Sequence, residues 1–237
     1  MTVMLIGAHP DDEISAGGTL LKHSRAGDRV VIVTMTRGGM GHRTMPTAEL
    51  QEVRSGEARA AAEALGAELH LLHYRDGEVP QKREVAQELA RHIRAVRPDI
   101  LLTHGDDTLH PDHRATHRTA VDAVFYASLP LLDLGGEAFV VPRVLLFSRD
   151  PYDRHDVYVD IGAVMEAKIE AAACHASQYM DWLTDGGSAV DGGWQDDFKE
   201  TLRRQARAMG GHCGVEYAEA FNNLRPPTPI ALDRLEP

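Results

Sequence analysis

Short aliphatic runs alternate along the chain with longer stretches in which apolar positions recur every three or four residues. The runs at 3–6, 30–35, 69–72, 100–103, 144–147 and 157–159 predict strands. They are continuously apolar rather than alternating, the pattern of strands buried on both faces of a parallel sheet. Between them, residues 48–65 carry Leu50, Val53, Ala61, Ala64 and Leu65 at helical spacing, opened by Thr47 and closed by Gly66. Residues 81–96 place Val85, Leu89, Ile93 and Val96 on one helical face and stop before Pro98. Further helices are expected after Glu13, after His113, over 163–176 and over 196–208. This alternation predicts an α/β fold, a Rossmann-like doubly wound and mostly parallel sheet flanked by helices, in a single domain over residues 1–237. The Gly-rich stretch 185–194 and the Pro-rich stretch 225–229 read as a loop and a tail, and no internal repeat is visible.

Composition narrows the function classes. With 237 residues, 43% hydrophobic and 26% charged, the chain has ordinary globular content and length for a packed core. Its net charge of −11 speaks against nucleic acid as a partner, because phosphate neutralisation needs a basic surface. No apolar run approaches the ~20 residues of a membrane span. The first residues lack the basic segment of a signal peptide, and two cysteines, Cys174 and Cys213, fit a reducing compartment, so a cytoplasmic location is expected. The 13 histidines are an excess that spacing must interpret.

In doubly wound sheets ligands bind beyond the carboxyl ends of the strands. The first strand ends in Ala8-His9-Pro10-Asp11-Asp12-Glu13, and the fourth leads through His104 into His110-Pro111-Asp112-His113. Acidic residues at a helix start often only cap free N–H groups. Two His-Pro-Asp motifs, each at the carboxyl end of a strand, offer more. Together they supply two His and one Asp for a metal with an open position, plus an Asp and a His to spare. That is what a metallohydrolase needs as ligands, base and oxyanion stabiliser.

With Gly17-Gly18-Thr19, Thr36-Arg37-Gly38, Arg54 with Glu57, Leu65-Gly66, Asp76-Gly77, Arg97-Pro98-Asp99, Val159-Asp160-Ile161, Ser177-Gln178 and Tyr217 to Phe221, these motifs make the chain resemble the LmbE/PIG-L family of zinc-dependent N-deacetylases. The resemblance implies removal of acetyl from an N-acetylglucosamine conjugate, with Zn2+ or, in the cell, Fe2+ as cofactor. It makes His9, Asp12 and His113 the metal ligands and Asp11 the general base. His110 becomes the cationic group that stabilises the oxyanion or protonates the leaving amine, with Asp112 setting its charge, and Arg54 binds substrate. The runs around Asp76 and from Asp160 to Gln178 look closest to the bacillithiol branch, whose substrate is N-acetylglucosaminyl-malate; the alternative is another glucosaminide, such as chitobiose, an inositol conjugate or an antibiotic precursor. The expected partners are a small glucosaminide and, by resemblance, further copies of the chain in a hexamer or trimer, with no membrane.

Two positions depart from the family pattern. The loop Thr36-Arg37-Gly38-Gly39-Met40-Gly41 lacks the acidic residue relatives often carry, and where relatives place a carbonyl-polarising Tyr this chain offers Phe198, with Trp194 nearby. His23, His42, His70, His73, His92, His117, His155, His175 and His212 have no partner at ligand spacing and read as surface or structural histidines; His104, at a strand end, stays open. Gly17 and Gly18 inside a helix suggest close packing. Other classes remain. Two His and one carboxylate also describe the facial triad of non-haem iron enzymes, and a binding module would explain the ligands while leaving Asp11 and His110 idle.

Overall fold

The computed structural model describes residues 1–147, 155–178 and 194–224, and at 194–197 the backbone alone. Trp194's side chain, the Gly-rich residues 185–193 and the Pro-rich stretch 225–229 lie outside the described residues.

The strands are β1 (Thr2–Gly7), β2 (Arg29–Thr36), β3 (Glu68–Tyr74), β4 (Ile100–His104), β5 (Arg143–Phe147), β6 (Val157–Asp160) and β7 (Ala218–Asn223). They form one sheet in the order β3-β2-β1-β4-β5-β7-β6. The five from β3 to β5 run parallel, and β7 is antiparallel to both β5 and β6. The helices are α1 (Gly17–Arg25), α2 (Thr47–Leu65), α3 (Arg83–Val96), α4 (Pro111–Ala127), α5 (Met165–Ala173) and α6 (Trp194–Cys213).

Why β1 sits centrally follows from its residues. Val3 and Leu5 enter one core with residues of α1, α2, α5 and α6, while Met4 and Ile6 enter the opposite core with residues of α3 and α4. A strand's period of two sends neighbours to opposite faces, so only a continuously apolar run satisfies both layers.

Helix ends follow local chemistry. Gly66 closes α2 at φ 66°, its N–H donating to the carbonyls of Ala62 and Glu63. Thr47 is the first helical residue and Pro46 takes the cap position, one residue earlier than expected. At Gly18 a Cβ would lie 2.6 Å from Ile161 Cγ2. The Gly17-Gly18 expectation of close packing therefore holds at the second glycine.

Three expectations are corrected. β3 is an edge strand, mostly exposed or half-buried with Leu72 alone buried, because no strand among the described residues pairs beyond it. The segment at 218–223 is a strand, inserted antiparallel between β5 and β6, although its motif gave no strand signal. Before α1 stands a 3₁₀ turn over Asp12–Ala16 rather than a continuous helix.

The connections from β1 lead to β2 and β3 on one side, whereas β4 and β5 lie on the other. The sheet reverses between β1 and β4, and the crevice there is where such folds bind ligands. Both His-Pro-Asp motifs open into it.

Candidate active site

β1 ends at Gly7, and the chain folds back at Pro10 so that Asp12 receives the two amides that follow the strand. Asp12 Oδ2 accepts from Ala8 N–H at 2.8 Å and from His9 N–H at 2.7 Å, with His104 Nε2 at 3.0 Å. Its other oxygen, Oδ1, is left 3.2 Å from His113 Nε2. Burial opposes the charge, but His104 and His113 outweigh it and hold Asp12 well below the ordinary carboxylate range.

Pro at the first position of α4 presets the helix, and His110 is its cap. His113 follows one turn on, its ring stacked between His104 at 4.1 Å and His110 at 4.6 Å. His113 Nε2 meets His9 Nδ1 at 3.3 Å, and His9 Nδ1 lies 3.7 Å from the Asp12 carboxylate. Two ring nitrogens and the two oxygens of one carboxylate, from β1's end and α4's start, therefore converge: His113 meets Oδ1 at 3.2 Å, His9 lies 3.7 Å from Oδ2, and the two rings stand 3.3 Å apart. For a tetrahedral cation with ligands at 2.0–2.2 Å, donor atoms stand about 3.4 Å apart. His9, Asp12 and His113 fit such a group.

The surroundings favour positive charge at this point. His9 Nε2 faces Asp112 Oδ2 at 3.1 Å and Asp76 Oδ1 at 3.2 Å. Burial disfavours a charged ring, yet these two hydrogen bonds and Asp12 push the His9 pKa up to about 10. With Nε2–H turned to carboxylates, Nδ1 faces the donor cluster and offers its lone pair there once its proton is displaced, the usual way a protein orients a metal-binding imidazole. Among the described residues, the trios whose donor atoms lie close enough to share an ion are His9, His110 and His113; Asp12, His104 and His113; and His9, Asp76 and Asp112, so the donor set around His9, Asp12 and His113 is larger than three residues.

Asp112 differs from expectation. Its carboxylate accepts from Gly77 N–H at 2.6 Å and Val79 N–H at 3.1 Å and faces His9, not His110. The reason is helical geometry: at the second position of α4 its side chain points to the loop after β3. Only its backbone N–H reaches His110, donating to Nδ1 at 3.2 Å. That bond requires an unprotonated Nδ1, so His110 is a neutral ring with its proton on Nε2. Burial, then the neighbouring His9 and His113, also push its pKa down, away from the cation the sequence suggested; the charge of Asp112 acts in the expected upward direction but is outweighed.

Asp11 lies between the two ligands in a left-handed backbone conformation with φ 105°. Burial pushes its carboxyl pKa up; Arg54 opposes and the charge on Asp12 adds. Arg54, on α2, is buried rather than presented to a ligand. Its guanidinium donates to the Pro10 carbonyl and, at 3.2 Å, to Asp11 Oδ1. Gly38, at φ 66°, crosses directly over it, where any Cβ would stand 2.4 Å from Nη1. The Gly-rich loop after β2 thus covers an arginine. Phe198 packs in the core and takes no place among these groups.

The sequence reading missed Asp76, Glu13 and His175. Asp76 follows the end of β3, so the strand-end rule that singled out His9 could have found it. His175 is fully buried and bonds Glu13 at 2.6 Å, a contact 162 residues apart that no local spacing signals. Among the other histidines, His23 pairs with Asp28 and His117 donates to the His104 carbonyl, as structural histidines do. Exposed Leu109 and Met40 stand beside His110 and the Asp76 loop.

A family model described as GlcNAc-PI de-N-acetylase, PIG-L, matches residues 4–124. A diacetylchitobiose deacetylase of Thermococcus kodakarensis is 34% identical over 92% of this chain and 81% of its own. A 1D-myo-inositol 2-acetamido-2-deoxy-alpha-D-glucopyranoside deacetylase of Catenulispora acidiphila is 35% identical over 89% of this chain and 78% of its own. Among solved structures, N,N′-diacetylchitobiose deacetylase from Pyrococcus horikoshii superposes with a TM-score of 0.80 at 31% identity, covering 94% of this chain and 83% of that one.

Proposed function

Since the chain belongs to the PIG-L family of de-N-acetylases, we propose that it hydrolyses the N-acetyl group of a small N-acetylglucosamine conjugate whose aglycone is a sugar or a polyol. The observation that carries this reading is the convergence of His9 Nδ1, His113 Nε2 and the Asp12 carboxylate, with Asp11 next to Asp12 in the chain and near enough for the Asp12 charge to raise its pKa. The relatives, named for diacetylchitobiose and an inositol conjugate, replace the malate conjugate expected from the sequence. Arg54 supports the same choice: the cation that would pair with a malate carboxylate is turned inward to Pro10 and Asp11. Leu109 and Met40 give the mouth apolar surfaces against which a sugar face can rest.

In this reading His9, Asp12 and His113 hold a divalent cation, zinc by the donor set of two imidazoles and a carboxylate. Such a cation acidifies a water from a pKa of ~16 toward ~7 and polarises a carbonyl oxygen. Asp11, its pKa raised by burial, takes the proton of the attacking water as the C–O bond forms. His110 donates Nε2–H to the acetyl oxygen as charge builds there, acting as a neutral donor. Asp11 then returns its proton to the nitrogen as the C–N bond breaks, releasing acetate and a free amine. Asp76 and Asp112 keep the His9 ring aimed throughout.

The test is free-amine release from N,N′-diacetylchitobiose, an N-acetylglucosaminyl-inositol and N-acetylglucosaminyl-malate, with a chelator-stripped control. Chelator-sensitive release from the first two supports the proposal. Preference for the malate conjugate overturns the aglycone, and no release from any of them overturns the substrate class.

A further inference from the structure

A residue with a side chain avoids the backbone conformation of Asp11, φ 105° and ψ −17°, because Cβ and carbonyl crowd each other. Surrounding structure must therefore hold it there. One restraint is Arg54, which ties down the Pro10 carbonyl and the Asp11 carboxylate. The Asp11 carbonyl also accepts from Ile14 N–H at 3.2 Å, and a third restraint runs through the Asp11 amide. Asp11 N–H donates to Glu13 Oε2 at 3.0 Å, and Glu13 Oε1 lies 2.6 Å from His175 Nε2.

Glu13 and His175 are both buried, and among the described residues His175 Nδ1 has no hydrogen-bond partner. Among the described residues the ring's hydrogen bond goes to Glu13. His175 itself is fixed from outside the site. Two residues on, Ser177 donates its N–H and Oγ–H to the two oxygens of Glu57 at 2.7 Å each, and Gln178 reaches the Gly41 carbonyl at 3.1 Å. A buried carboxylate without its cationic or donor partner would reorient toward whatever polar group it could find, and the Asp11 amide would lose its acceptor.

We propose that the buried His175–Glu13 pair is the positioning device for Asp11, holding the backbone of the base in its left-handed conformation so that its carboxylate stands beside the donor cluster. This rests on the reading of Asp11 as the base. In mechanism, the pair touches neither substrate nor cation and acts only through where Asp11 points. Displacing a reacting group by about 1 Å can cost roughly 10²-fold in rate.

The experiment crosses His175→Leu, which removes the donor, and His175→Gln, which keeps one at similar reach, with Asp11→Asn, using the zinc-loaded enzyme and N,N′-diacetylchitobiose. His175→Leu should lower kcat roughly 10²-fold at unchanged KM and zinc content, His175→Gln should recover most of it, and His175→Leu should cost nothing further in the Asp11→Asn background. A merely structural role would lower turnover by the same factor in both backgrounds, and that result, or wild-type kcat in His175→Leu, overturns the proposal. Should His175→Leu not fold, Glu13→Ala carries the same comparison. A crystal structure of the folded variant gives a second readout. Asp11 should relax to negative φ, and a retained positive φ overturns the proposal. If the wild-type enzyme turns over no glucosaminide, the deacetylase reading fails and this second readout alone decides the positioning claim.

Discussion

Replacing Asp112 by Asn separates two accounts of this residue. In the structure one carboxylate oxygen serves both His9 Nε2 and Gly77 N–H, while the other accepts from Val79 N–H. An amide can keep its oxygen toward His9 and Gly77, but its NH₂ then meets the Val79 N–H donor to donor. A buried donor left unpaired costs about 1–3 kcal/mol. Losing a negative charge from the first turn of α4 adds about 0.3–1 kcal/mol. At His9 the weakened partner makes the imidazole a poorer ligand, and such outer changes lower metal affinity about 10–100-fold, or roughly 1.4–2.7 kcal/mol. Asp112→Asn should therefore bind zinc 10–100-fold more weakly in competition with a chromophoric chelator, and urea unfolding of the metal-free protein should show the stability loss. His110→Ala should leave zinc affinity unchanged. Wild-type zinc affinity in Asp112→Asn, with kcat alone reduced, would refute this account and place the residue's action on His110.

Other outcomes follow from the same geometry. In the cation-free pocket His9 holds a proton up to about pH 10, so loading the site at pH 7 must expel it. Zinc affinity should fall as pH is lowered, and calorimetry in buffers of different ionisation enthalpy should register at least one proton released per ion, whereas proton-independent binding would exclude His9 as a ligand. Arg54→Lys should reduce kcat equally for neutral and anionic glucosaminides, because the guanidinium holds Pro10 and Asp11; a KM effect confined to anionic substrates would restore it to substrate binding. Glu219 accepts from Gly18 N–H, Thr19 N–H, Thr19 Oγ–H and Lys168 Nζ at 2.6–2.8 Å inside the core. Glu219→Ala strands a buried ammonium and should cost about 3–5 kcal/mol in urea unfolding; a loss below 1 kcal/mol would mean that water reaches the pair. At Gly18→Ala, overpacking against Ile161 of about 1–3 kcal/mol should outweigh a helix-propensity gain of about 1 kcal/mol, lowering the urea midpoint.

Much of this was legible in the chain itself. Hydrophobic periodicity is a local property, and continuous apolar runs such as Val3 to Ile6 announce a strand buried between two layers wherever they are placed. Strand alternating with helix then leaves few topologies, since parallel connections must cross over and do so with one hand. Gly66 marked the end of α2 because a left-handed cap needs no partner from elsewhere. The two His-Pro-Asp motifs were visible because their ligands sit within four residues of one another and at strand ends, where this kind of sheet binds. The edge position of β3 and the insertion of β7 were not visible. Both depend on which strands lie alongside, and pairing is decided between segments distant in sequence.

Chemical roles divided along the same line. Residue types and spacing determined that a donor cluster with a neighbouring carboxylate could form. Which way each side chain turned was decided by tertiary contacts. The loop after β3 draws the Asp112 carboxylate to Gly77, Val79 and His9, the amide of Asp112 fixes the tautomer of His110, and the Asp11 loop turns Arg54 inward. His175 is the clearest case. By spacing it is one unremarkable histidine among many, and only the packing of α5 under the 3₁₀ turn brings its ring to Glu13. Local sequence sets what a residue can donate or accept; the fold sets which partner is near enough to receive it, because hydrogen bonds act over about 3 Å and partners here lie up to 162 residues apart in the chain.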